Sequence, residues 1–112
     1  MKILYDHQIF SIQIFGGISR YFKELSSHLD AKKNIRTEFA LKISNNFYLE
    51  HNRLKFYNFL RKNSFRGKVR IIYFVNRLYT IYKLNKRDFD VFHPTYYDTY
   101  FLKFIGNRKF VL

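Results

Sequence analysis

"KILYDHQIFSIQIFGGISRYFKEL", residues 2–25, decides the fold. Its first five residues are a short apolar run ending on the carboxylate of Asp6, the form of a first buried strand in an α/β domain. A loop follows through Phe15, and then two adjacent glycines, Gly16 and Gly17. Beyond them Ile18, Phe22, Leu25 and Leu29 make a one-sided stripe at helical spacing, while Arg20, Lys23 and Ser27 point elsewhere. Lys32 and Lys33 suit the carboxyl end of that helix, where the macrodipole favours cations, and Asn34 reads as its stop.

The rest of the chain continues the alternation. Residues 35–43 place Ile35, Thr37, Phe39, Leu41 and Ile43 against Arg36, Glu38, Ala40 and Lys42, the period of two expected of a strand. Residues 44–52 are loop-like. Helical spacing returns over 53–63 and 68–86, on either side of a break at Phe65-Arg66-Gly67. In the second of these helices Ile71, Val75, Leu78 and Tyr82 align on one face, with Arg70, Tyr73, Arg77 and Leu84 broadly opposite. "FDVFHP", residues 89–94, returns to a short buried strand in which Pro94 holds His93 extended. A short helix capped near Gly106 and a last strand from Lys109 complete the order. Strands alternating with helices predict a parallel sheet with right-handed crossovers. The expected class is therefore α/β: a partial Rossmann-like parallel sheet of about four strands flanked by helices. No repeat, low-complexity tract or linker marks a second domain within residues 1–112.

Composition narrows the function. The 112 residues are 47% hydrophobic and 21% aromatic, ample material for a core. Cysteine is absent, which excludes a disulfide framework and a thiolate metal site. His7, His28, His51 and His93 show no metal-ligand spacing. Asp6 and His7 come too early for the apolar core of a signal peptide, and Arg70, Asn76, Arg77 and Lys83 interrupt the greasiest stretch. These features predict a cytoplasmic, non-spanning protein. The net charge of +13 is regional: residues 51–87 hold eleven Lys and Arg and no acid, against ten basic residues and eight acids elsewhere. An AT-rich genome would supply part of that bias through Lys, Asn, Ile, Phe and Tyr codons.

Parallel sheets place ligands beyond the carboxyl ends of their strands, where the loop of residues 6–17 lies. Adjacent glycines let a backbone approach a phosphate and leave the first helical amides free to point at it. They equally serve a simple strand-to-helix turn, and the third glycine of a dinucleotide motif and the Lys-Ser/Thr of a P-loop are missing. Arg20 weighs toward an anion, because a cation in the first turn opposes the helix dipole and a bound phosphate or carboxylate reverses that penalty. The alternative is a surface arginine reaching Asp6 or Glu24.

Residues 5–25, "YDHQIFSIQIFGGISRYFKEL", and residues 90–102, "DVFHPTYYDTYFL", resemble two stretches of the amino-terminal domain of bacterial glycosyltransferases of the group 1 / family 4 type, which have the GT-B fold. The two stretches cover about thirty residues; between them only the order of strands and helices corresponds. The resemblance implies an acceptor-side amino-terminal domain that faces a nucleotide-sugar donor, bound mostly by a carboxy-terminal domain, and a retaining transfer to a glycan or lipid-linked acceptor in polysaccharide biosynthesis. It further implies that Gly16, Gly17 and Arg20 meet the donor diphosphate, and that His7, Gln8, His93, Tyr96 and Tyr97 line the acceptor side. The donor is a substrate, and no cofactor or metal is implied. Preorganised amides and a guanidinium suit a negative diphosphate leaving group, and Tyr and His suit an acceptor's hydroxyls. The His that usually follows the later strand and the paired glutamates of the second domain are absent, so the chain is expected to be a truncated half of a GT-B amino-terminal domain, inactive alone.

Two rival readings use the basic segment. Its cations interleave with Phe56, Tyr57, Phe59, Phe65, Tyr73 and Tyr79, as in a single-stranded nucleic-acid binder, although no recognition motif is present. Residues 51–87 could instead rest on anionic lipid at the inner face of the plasma membrane, which is compatible with the transferase reading.

Overall fold

A computed structural model describes residues 1–14, 16–44 and 66–112. The predicted helix over 53–63 and the loop from 45 onward lie outside the described residues. Four strands, β1 (Lys2–Tyr5), β2 (Arg36–Phe39), β3 (Val91–His93) and β4 (Lys109–Phe110), form one sheet of order β2-β1-β3-β4 in which every pairing is parallel. The expected α/β sheet of four parallel strands is therefore present. Helices α1 (Gln8–Ile12), α2 (Gly17–Asp30) and α3 (Lys68–Lys86) and a 3₁₀ turn at Tyr100–Lys103 connect and cover it.

The period of two in β1 builds two cores. Leu4 packs on one face with Phe92, Leu84, Phe89, Phe101 and Ile105. Ile3 and Tyr5 face the other way, toward Ile9, Phe10, Phe22 and Leu41. Helix α2 covers this second face, while α3 and the 3₁₀ turn cover the first. Because β2 and β3 add on opposite sides of β1, the chain reverses its direction of travel there, and a crevice at the carboxyl ends of β1 and β3 follows.

Several elements differ from the sequence expectation. The loop after Asp6 contains the single-turn helix α1, because Ile9 and Phe10 are fully buried and the Ile9 amide is held by Thr95 Oγ1 at 3.1 Å. Helix α2 ends at Asp30, ahead of Lys32 and Lys33, where the Asp30 carboxylate accepts from the Thr37 amide at 2.6 Å and from Thr37 Oγ1 at 2.9 Å. Strand β2 covers only four of the nine alternating residues. It stops where β1 stops, after which Asn76 Oδ1 accepts from the Lys42 and Ile43 amides at 2.8 and 3.0 Å.

Helix α3 buries neither of the two rows that its spacing picks out. Its buried residues are Ile72, Asn76, Thr80 and Leu84, while Ile71, Leu78 and Tyr82 are exposed. The polar members of the buried row explain the choice of face. Asn76 Nδ2 donates to the Ile43 carbonyl at 2.6 Å and to Ser11 Oγ at 2.9 Å, and Thr80 Oγ1 donates to the Ala40 carbonyl at 3.0 Å. The chain leaving β2 has backbone groups that no strand pairs, and burying them without partners would cost more than exposing an aliphatic side chain.

Candidate functional site

Asp6, the residue that ends β1, organises the crevice. Its Oδ1 accepts from the Thr95 amide at 2.8 Å and from Thr95 Oγ1 at 2.7 Å, and its Oδ2 accepts from Gln8 Nε2 at 2.6 Å and from the Tyr100 hydroxyl at 3.3 Å. Burial pushes this carboxyl above its usual range, even though the hydrogen bonds from Thr95 and Gln8 favour the ionised form. Gln8 reaches across in turn: Nε2 donates to the Asp98 carbonyl and Oε1 accepts from the Asp98 amide, each at 2.8 Å. The loop after β3 is thus sewn to the loop after β1.

Above this network lies a cavity of about 510 Å³. The β3 end and its loop contribute His93 and the run from Pro94 to Thr99, and Ile18 and Phe22 of α2 form the opposite wall. Tyr96 and Tyr97 stand with ring centroids 4.7 Å apart, Tyr97 almost wholly exposed. His93 packs against the rings of Tyr5 and Phe22, both at 5.2 Å, and its burial lowers its pKa, so it is a neutral imidazole with one donor and one acceptor nitrogen. A flat apolar wall with hydroxyls and one imidazole at its rim can hold a polyhydroxylated or aromatic ligand.

The structure brings His93, Tyr96 and Tyr97 together, as the sequence grouped them. His7 and Gln8 do not reach the cavity. His7 is fully buried, with Nδ1 against Ser11 Oγ at 2.8 Å and its ring against Tyr73 and Tyr100; burial first, and the charge of Arg77 second, pull its pKa down to about 3. Gln8 is buried and engaged at both ends of its amide.

Gly16 and Gly17 sit at the start of α2, where no side chain caps the helix. Gly16 has an extended backbone, φ 167°, that other residues adopt freely, and only the end of the Gln13 side chain, 2.8 Å from a built Cβ, crowds it. Gly17 is helical, and among the described residues a Cβ there would meet no atom outside its own helix within 4 Å. Arg20 is exposed, about 200° around the helix from Ile18 and on the far side from the cavity. Among the described residues no ion pair joins it to Asp6 or Glu24.

Sequence reasoning missed Thr95, Asp98, Ile18 and Phe22 as parts of this site. Thr95 follows the Pro94 that ends β3, and a hydroxyl one step beyond a strand end in a switch-point crevice was the available signal. Comparison of the chain with family models, curated proteins and solved structures finds no match.

Proposed function

We propose that this chain is the acceptor-side amino-terminal part of a GT-B glycosyltransferase, in which a nucleotide sugar's diphosphate rests on the exposed start of α2 and an acceptor enters the crevice beside it. The observation that carries the reading is Gly17. Neither a left-handed backbone nor a packing neighbour among the described residues requires glycine at that position, and glycine inside a helix costs stability relative to alanine. Close approach of an external group to the backbone supplies the missing reason. Arg20, a cation with no carboxylate partner among the described residues, in the turn that least favours one, fits the same anion.

In this reading the amides of α2 and the Arg20 guanidinium stabilise the charge that develops on the leaving diphosphate. Tyr96, Tyr97 and His93 hold the acceptor against the wall made by Ile18 and Phe22. His7 and Gln8 then act as positioning residues beneath the crevice. The donor-binding domain that completes such an enzyme would come from sequence outside residues 1–112, and the chain alone should not turn over a donor.

Titration of the ¹⁵N-labelled chain with a nucleoside diphosphate tests this reading. Shifts concentrated on the Gly16, Gly17 and Ile18 amides support it. Shifts spread over the cations of α3, or none, count against it. The resemblance of residues 5–25 and 90–102 to the transferases adds support from the sequence alone.

A further inference from the structure

The chain has 21 Lys and Arg, yet none stands among the described residues that line the crevice cavity of about 510 Å³, where Asp98 is the one charged side chain. The deeper polar groups there already have partners. Thr95 Oγ1 donates to Asp6 and accepts from the Ile9 amide. The Asp98 carboxylate accepts from the Tyr100 amide at 3.1 Å and from the Tyr73 hydroxyl at 2.8 Å, with Arg77 3.9 Å from the oxygen that Tyr73 holds. That carboxylate is thus neutralised from the α3 side and gives a ligand neither a donor nor a cation. Phe22, Pro94 and Phe101, all buried, make the inner surface, whereas Tyr96, Tyr97 and Thr99, all exposed, stand at the mouth.

We infer that the crevice selects an uncharged aromatic ring, taken in against Phe22, Pro94 and Phe101, whose one polar group, a hydroxyl, stays at the mouth beside Tyr96, Tyr97 and the neutral His93 imidazole. A saccharide fits less well, because its hydroxyls on every side would face the apolar inner surface or groups that already have partners. An anion fares worse: the lining offers no cation to pair with it and sets it beside Asp98. Aromatic walls favour a flat ring over a saturated skeleton, since offset and edge-on ring contacts add to the area buried, and Phe22, His93, Tyr96, Tyr97 and Phe101 supply five such walls. The cavity lies within the range of small-molecule sites, about 300–1,000 Å³. Naming this ligand as the acceptor rests on the sugar transfer proposed above, with the outward hydroxyl as the group that receives the sugar; binding of the ring itself does not.

Amide-shift titrations of the ¹⁵N-labelled chain with four probes test this selectivity at pH 7 and about 150 mM salt, where surface charges are screened beyond roughly 8 Å. 2-Naphthol is expected to shift the amides of Ile18 and of residues 95–99. Its saturated counterpart 2-decalol should bind several-fold more weakly, and 2-naphthoate, the same ring bearing a carboxylate, roughly tenfold or more weakly. Methyl α-glucopyranoside should shift none of these amides. Ile18→Lys, at an exposed wall position, places a cation at the crevice and should reverse the order of naphthol and naphthoate; unchanged circular dichroism establishes that the variant folds. Naphthoate or the glucoside binding the parent as tightly as naphthol would overturn the proposal, as would 2-decalol matching naphthol, or naphthol shifts confined to α3 or absent. The donor reading fails separately: naphthol shifts in the crevice with no nucleoside diphosphate shifts on Gly16, Gly17 and Ile18 would keep the ring site and remove the transferase, and the opposite pair of results would do the reverse.

Discussion

Thr95 Oγ1 donates to Asp6 Oδ1 at 2.7 Å, joining residues 89 positions apart across the ends of β1 and β3. The same hydroxyl accepts from the Ile9 amide at 3.1 Å, so one side chain holds the carboxylate and starts α1. Thr95→Val keeps the shape but leaves a buried carboxylate oxygen and a buried amide each short of a partner. Urea denaturation should show a loss of about 2–4 kcal/mol. A loss below about 0.5 kcal/mol would mean that this network does not hold the crevice together.

His7 gives the fold a pH dependence of definite sign. Burial keeps it neutral in the folded state, with a pKa of about 3, whereas the unfolded chain takes up a proton near 6.5. The unfolded state therefore binds more protons below that value, and stability falls as the pH drops from 6.5 toward 3. Between pH 7 and pH 5 the decline from this residue is roughly 2 kcal/mol. His93, also lowered by burial, adds in the same direction. In His7→Gln the slope over this range should shrink by the part that His7 supplies; an unchanged slope would show that His7 is protonated in the fold.

Tyr5 should behave unlike other core positions. Its ring lies among Phe22, Phe39 and His93 at centroid distances of 5.6, 5.2 and 5.2 Å, yet its buried hydroxyl has no hydrogen-bond partner among the described residues. Burial pushes its pKa up to about 12. Tyr5→Phe removes an unsatisfied donor and keeps the packing, so thermal denaturation should find it neutral or more stable by up to about 1 kcal/mol. Destabilisation beyond that range would reveal a partner for the hydroxyl.

The parallel sheet was legible in the sequence because each buried strand is short and each junction is marked. Ile3, Leu4 and Tyr5 alternate between the two cores, and Pro94 ends β3 where the period changes. The grouping of His93, Tyr96 and Tyr97 was legible for the same reason, since they follow one strand end. The packing of α3 was not. Asn76 and Thr80 are polar by composition and buried by function, because they satisfy carbonyls and amides of residues 40–43 that only the tertiary fold leaves open. Hydrophobic spacing alone does not pick out that row. The Asp6–Thr95 link was hidden by its span, and His7 and Gln8, which read as ligands, are held in the floor beneath the crevice.

The central claim is that Gly17 is glycine for a ligand rather than for the fold. Gly17→Ala should raise the thermal stability of the chain, by about 0.4–1 kcal/mol, because the helical backbone accepts alanine and no described residue crowds its Cβ. The decisive measurement is the nucleoside diphosphate affinity of the chain, read from amide shifts, beside that of Gly17→Leu/Arg20→Gln. A weakening of roughly tenfold or more, the loss of one charge-assisted contact and of backbone approach, is predicted in a variant at least as stable as the parent. Equal affinity in the two proteins would contradict the account and leave the glycine pair as a bend in the chain.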